Sequence, residues 1–170
     1  IATQSRSDLM RHKFIQQALY GISMFQINIQ RDVKIVIKLH PDEQETFYRD
    51  LLRDMELDII DNVSIVGSNL HRHVQLSDAV LTMNSNVGIE AMVLGTPCIN
   101  INPFSSISPV CLYSSEGPVP VLKTPADIER FFSQLKIQNL ERMSEEQSEY
   151  AHAQFIKPNA ATVIAQDLCT

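Results

Sequence analysis

Apolar positions along this chain switch repeatedly between two spacings. From Ser7 to Phe25 they fall at Leu9, Met10, Phe14, Ala18, Leu19, Ile22 and Phe25, close to one helical stripe. Ser7 suits an N-cap, and Asp8 follows in the first turn, where the helix dipole favours an acid. The run 33–39 is β-branched and almost continuously apolar, as in a strand covered on both faces. His40-Pro41 ends it, and Pro41 is placed to open a helix running to about Met55, with Asp42 and Glu43 at its positive end. The pattern predicts a strand at 62–66, a helix at 70–76, a strand at 79–83 and a helix at 86–94 closed by Gly95, then a strand at 97–101. Thr124-Pro125-Ala126-Asp127 carries a cap, a first-turn proline and an acid three residues after the cap, so a helix starts there. Residues 139–169 read as two helices broken near Pro158. Such alternation implies an α/β fold: a parallel sheet with helices on both faces, its strands at 33–39, 62–66, 79–83 and 97–101 lying as parallel neighbours.

Composition narrows the function classes. A chain of 170 residues fits one domain with a sizeable core. The net charge of −6 and the lack of any Lys/Arg block exclude a nucleic-acid footprint, and no apolar run reaches membrane-spanning length. Cys98, Cys111 and Cys169 are odd in number and far apart, which suits reduced thiols and a cytoplasmic location better than a disulfide framework or a zinc site. The opening Ile1-Ala2-Thr3-Gln4 reads as if the chain enters partway through a strand, so residues 1–170 are expected to be a single domain excised from a longer protein whose other part lies upstream.

In an open parallel sheet, ligands sit at the carboxyl ends of the strands, beside the helix starts that follow. Polar residues interrupt apolar strands at those places. After the strand at 79–83 come Asn84, Ser85, Asn86, Gly88 and Glu90. A small hydroxyl, an amide and a helix start could receive a phosphate, Gly88 would let a ligand or neighbouring strand come close, and Glu90 could accept two hydrogen bonds from a ribose diol. Taken singly, Ser85 is equally what an ordinary cap requires. Lys38, His40 and Pro41 form a second place, where a protonated histidine could donate to phosphate, although an isolated His-Pro also serves as a hydrogen-bonded turn. Gln4 to Asp8 form a third, which alone is an ordinary capped loop. The chain has no G-x-G-x-x-G, no P-loop and no G-x-S-x-G, and His71 and His73 are spaced wrongly to share a helix face.

The stretch from Ser77 to Ile99, with Asn84-Ser85-Asn86-Val87-Gly88-Ile89-Glu90-Ala91 followed by Leu94-Gly95-Thr96-Pro97, resembles the donor-site segment of GT-B glycosyltransferases, in particular the capsule polysaccharide synthesis family. Ile37-Lys38-Leu39-His40-Pro41 looks like the His-Pro motif that family shares with bacterial sialyl- and polysialyltransferases, and Gln4-Ser5-Arg6-Ser7-Asp8 is similar to the Q-x-x-x-D of capsule Kdo transferases. The chain departs from the family at Asn86, where Thr or Ser is common. The resemblance implies a Rossmann-like, GT-B C-terminal half that binds a nucleotide sugar as substrate, needs no cofactor or metal, and works with an N-terminal acceptor-binding domain. Any peripheral membrane association is expected of the longer parent only. In that scheme His40 contacts the donor phosphate, Ser85 and Asn86 cap it, Glu90 holds the ribose and Asp8 is the catalytic carboxylate, with Gln4, Lys38, Pro41, Asn84 and Gly88 completing the site. Two alternatives share the fold class: a domain like UDP-N-acetylglucosamine 2-epimerase, for which the first loops would need more acids than Asp8 and a His-Arg pair, and a non-catalytic nucleotide-binding module.

Overall fold

A computed structural model describes residues 1–3, 7–83, 85–104, 113 and 117–156. Its elements in chain order are α1 (Asp8–Ile29), β1 (Ile35–Lys38), α2 (Glu45–Arg53), a 3-10 turn (Asp58–Asn62), β2 (Val63–Val66), α3 (Leu70–Gln75), β3 (Val80–Thr82), α4 (Val87–Val93), β4 (Cys98–Ile101), β5 (Val121–Leu122), α5 (Pro125–Gln134) and α6 (Ile137–Phe155). The fold is mixed α/β with short parallel strands, as the periodicities predict. Pro158 and Gln4 to Arg6 lie outside the described residues, as does Asn84.

β1 pairs with β2, and β3 with β4 and β4 with β5, all in parallel. The expected direct adjacency of β1 and β3 does not occur. Ala2 forms parallel bridges to both Lys38 and Thr82, so segment 1–3 lies between them. Ladder bonds fix it there: Ala2 N donates to Leu81 O at 2.8 Å, Thr3 N to Lys38 O at 3.1 Å and Lys38 N to Ile1 O at 2.9 Å. The order across the sheet is therefore β2, β1, segment 1–3, β3, β4, β5.

Successive strand residues point to opposite faces, and the core divides accordingly. One cluster joins Ile37, Leu81, Ile99 and Ile101 of the strands to Ile15 and Leu19 of α1, Tyr48 of α2 and Ile128 of α5. The alternate strand positions Val80 and Cys98 face Ala91 and Met92 of α4, with Ala151 of α6 beyond. Burial of each large apolar side chain contributes roughly 1.5–3 kcal/mol. No helix among the described residues is long and apolar enough to cross a membrane.

Local signals mostly act where expected. Gly95 takes φ +75° just past α4, a left-handed position that other residues adopt at a cost. The capping box at α5 forms in both directions between Thr124 and Asp127. α1 runs past residue 25 to Ile29, and in this last stretch Asn28 Nδ2 donates to Glu129 Oε1 of α5 at 2.7 Å.

The helix expected at Pro41 begins later. Pro41 and Asp42 form a turn closed by Glu43 N donating to His40 O at 3.0 Å, and α2 starts only at Glu45. Proline's fixed φ suits the second position of such a turn as well as a helix start. Here the Glu43 side chain, folded inward, decides between them.

The α5 cap predicts an acid-sensitive feature. The Thr124 hydroxyl, the Lys123 and Thr124 amides and Arg130 together hold the Asp127 carboxyl below its ordinary value of 3.8, against a small opposing effect of burial. A carboxylate depressed in the folded state stabilises it above the unfolded value, and that contribution disappears as pH falls through the folded value. The protection factors of the Asp127 and Ile128 amides should therefore fall on acidification below about pH 4. An Asp127→Ala variant should show low protection at every pH. Equal acid response in both proteins would refute the assignment.

Candidate functional site

The carboxyl ends of segment 1–3, β1 and β2 open into a cleft of about 270 Å³. Lys38, His40 and Pro41 line it, together with Thr3, Asn69 and Val87 from the other strand ends and helix starts. A wider hollow of about 410 Å³, walled by Ser23, Gln26, Asp32 and Asp58, lies by the end of α1 and the approach to β1. It contains none of the expected residues and lies away from the strand ends where ligands of such sheets bind.

The cleft surface is mainly apolar, with Thr3, Lys38, His40 and Asn69 supplying polar groups. Lys38 Nζ donates to Leu39 O in the structure. His40 Nδ1 lies 3.3 Å from Asp42 N and 3.4 Å from Asp42 Oδ2. The two contacts suit different protonation states: a neutral ring accepts the Asp42 amide, whereas a protonated ring donates to the carboxylate. In either state Nε2 carries a proton that a phosphate oxygen could accept. Asn69, at the start of α3, holds φ 55°, a left-handed conformation that asparagine tolerates better than most residues. The Gly67-Ser68-Asn69 sequence was the visible signal for that turn.

Beneath the His40-Pro41 turn lies a polar cluster that sequence reasoning missed. The Glu43 side chain is 0% exposed. Its Oε2 accepts the His40 amide at 2.8 Å and the Thr3 hydroxyl, and Arg11 Nη1 donates to Oε1 at 3.5 Å. Arg11 also pairs with Asp8 and lies 4.7 Å above the Phe47 ring. Burial alone would weaken the Arg11 charge, but the Asp8 hydrogen bond and the neighbouring Tyr48, Asp8 and Glu43 groups raise its pKa on balance. Burial pushes the Tyr48 phenol well above the ordinary tyrosine value, with Glu43 adding to the effect, so Tyr48 stays neutral. The helix-dipole reading of Glu43 obscured this role. Its position three residues after His40 was the available signal for a turn instead.

The α4 stretch is arranged differently from the sequence expectation. Among the described residues of that stretch Val87 lines the cleft, and Ser85, Asn86, Gly88 and Glu90 do not. Ser85 Oγ accepts Val87 N at 3.3 Å, whereas the Asn86 side chain makes no capping bond and its backbone is already helical. Tyr113 Oη donates to Ser85 O at 2.8 Å. At Gly88, a Cβ would come within 2.6 Å of Tyr113 Oη and 3.0 Å of Cys98 Sγ, so its smallness admits a side chain and a neighbouring strand of the protein itself. Glu90 meets His71 Nε2 of α3 at 3.0 Å. His71 thus has a partner 19 residues away. The helical spacing that argued against a pair with His73 gave no hint of this contact. Asp8 has an exposed carboxylate on α1 that reaches the cleft only through Arg11 and Glu43.

No protein-family model matches this sequence, and no curated protein matches it. The geometry of the cleft and the residues around it therefore carry the functional reading.

Proposed function

We propose that this chain is the donor-nucleotide-binding domain of a glycosyltransferase of bacterial surface polysaccharide assembly. The observation that carries the reading is the meeting of Lys38 and His40 in one cleft at the carboxyl ends of parallel strands. Counting segment 1–3 as the first strand, the sheet order is 3-2-1-4-5-6. That order supports a Rossmann-like fold, whose ligands bind where the strand order reverses. The reversal lies between segment 1–3 and β3, beside the cleft. The motif resemblance in residues 4–8, 37–41 and 84–97 adds the GT-B assignment.

In this reading Lys38 releases Leu39 O and, with His40 Nε2–H, offsets charge growing on the departing phosphate. Preorganised donors of this kind act most strongly where water is excluded. Glu90 exchanges His71 for the ribose diol. Asp8 supplies the carboxylate for the acceptor side, and an acceptor-binding domain completes the cleft in a longer parent.

The test is calorimetric titration of the 170-residue chain with uridine 5′-diphosphate and cytidine 5′-monophosphate. His40→Ala and Glu90→Ala should each weaken binding by roughly 1.5–3 kcal/mol, the value of a hydrogen bond to a charged group. Saturable binding that ignores both substitutions would move the site elsewhere, and no binding of either nucleotide would remove the reading.

A further inference from the structure

The carboxylate of Glu43 has no part in the chemistry proposed above, yet the fold buries it completely. Removing an ionised carboxylate from water is costly and is offset only by good partners. Those partners come from three separate pieces of chain: Arg11 from α1, the Thr3 hydroxyl from segment 1–3, and the backbone N–H of His40 itself. The Thr3 hydroxyl adds to the same junction, since His40 N also approaches Thr3 Oγ1 at 3.2 Å and Thr3 Oγ1 lies 2.9 Å from Lys38 O. The bonds therefore close on the two residues, Lys38 and His40, whose side chains line the cleft.

We infer that Glu43 is a positioning residue: its buried carboxylate holds the His40-Pro41 turn so that His40 faces the cleft. The turn has few other restraints. Pro41 has no N–H to donate, and both Pro41 and Asp42 are exposed. Within the described bonds, the turn is anchored inward by the His40 amide and by the Glu43 side chain that receives it. Arg11, held from its outer side by Asp8, keeps that carboxylate in place. The effect on ligand affinity rests on the nucleotide-site reading above, while the effect on the turn does not.

The experiment compares the full chain with Glu43→Gln, Glu43→Leu, Thr3→Val, His40→Ala and the Glu43→Leu/His40→Ala double variant. Hydrogen exchange of the His40 amide reports the turn, and exchange at Ile37 and Ile99 reports the core. Affinity for uridine 5′-diphosphate reports the site. In Glu43→Leu the His40 amide should exchange at least about tenfold faster, as loss of a hydrogen bond to a charged group implies, with Ile37 and Ile99 unchanged. Its affinity should fall about as far as that of His40→Ala, and the double variant should bind no worse than either, the non-additivity of residues acting as a unit. Glu43→Gln, which keeps an acceptor oxygen, should restore most of both signals. If Glu43→Leu does not fold, Thr3→Val decides: it should loosen the His40 amide by a smaller factor without loosening the core. Unchanged His40 exchange in the folded variants would overturn the inference, as would independent, additive losses of affinity. If the wild-type chain binds no nucleotide, the site reading fails, and the exchange measurements still decide the role of Glu43.

Discussion

Replacing Gln147 by leucine should destabilise this protein by about 2–6 kcal/mol, because two buried bonds to the backbone are lost and each orphaned group costs about 1–3 kcal/mol. Gln147 is fully buried on α6. Its Oε1 accepts Cys98 N at 2.7 Å, and its Nε2 donates to Cys98 O at 2.9 Å. Among the described residues, β5 pairs with β4 from Asn100 onward. At Cys98 the glutamine amide bonds both the backbone N–H and the C=O. Leucine would fill similar space with no polar atom, and by helical pattern alone it would look like an improvement, since Leu140, Met143 and Ala151 share its stripe. Urea unfolding followed by circular dichroism would measure the difference. A loss under about 1 kcal/mol would show that the amide is replaceable.

The second large effect is expected at Arg11. Arg11→Met keeps an apolar stem near Phe47 but leaves the Glu43 carboxylate without its cation. Removing one partner of a buried ion pair typically costs about 3–5 kcal/mol, and the low end applies here, about 3 kcal/mol. The reasons are that the Arg11 side chain keeps 17% exposure and that the pair stands at 3.5 Å. Asp8→Asn, on the exposed side of the same arginine, should cost less than about 1 kcal/mol, as for a surface pair. Equal losses in the two variants would mean that burial of Glu43 does not govern the energetics.

Much of this molecule is legible along the chain. The alternation of apolar spacings located four of the strands and the helices between residues 7 and 94 to within a few residues, though it gave no sign of β5, and Gly95 and the Thr124–Asp127 box marked helix boundaries that the structure reproduces. These features depend on neighbours at most a turn away, so their physics is contained in a short window of sequence. Lys38, His40 and Pro41 could likewise be placed at a strand end, and the strand ends are where the cleft forms.

The rest depended on contacts between distant parts of the chain. A pattern of single strands does not state their order, and the insertion of segment 1–3 between β1 and β3 is decided by which ladder bonds close in space. The direction of the Glu43 side chain depends on Thr3 and Arg11, 40 and 32 residues away. His71 finds Glu90 only when α3 and α4 pack together, and Gln147 finds Cys98 only when α6 crosses beside β4. In each case a polar side chain leaves its locally preferred role because the assembled fold presents buried groups that need a partner. Hydrophobic spacing and local caps determined most of the elements that exist and roughly where they lie. Satisfaction of buried polar groups across the sheet, which needs the third dimension, decided their order and which residues meet at the cleft.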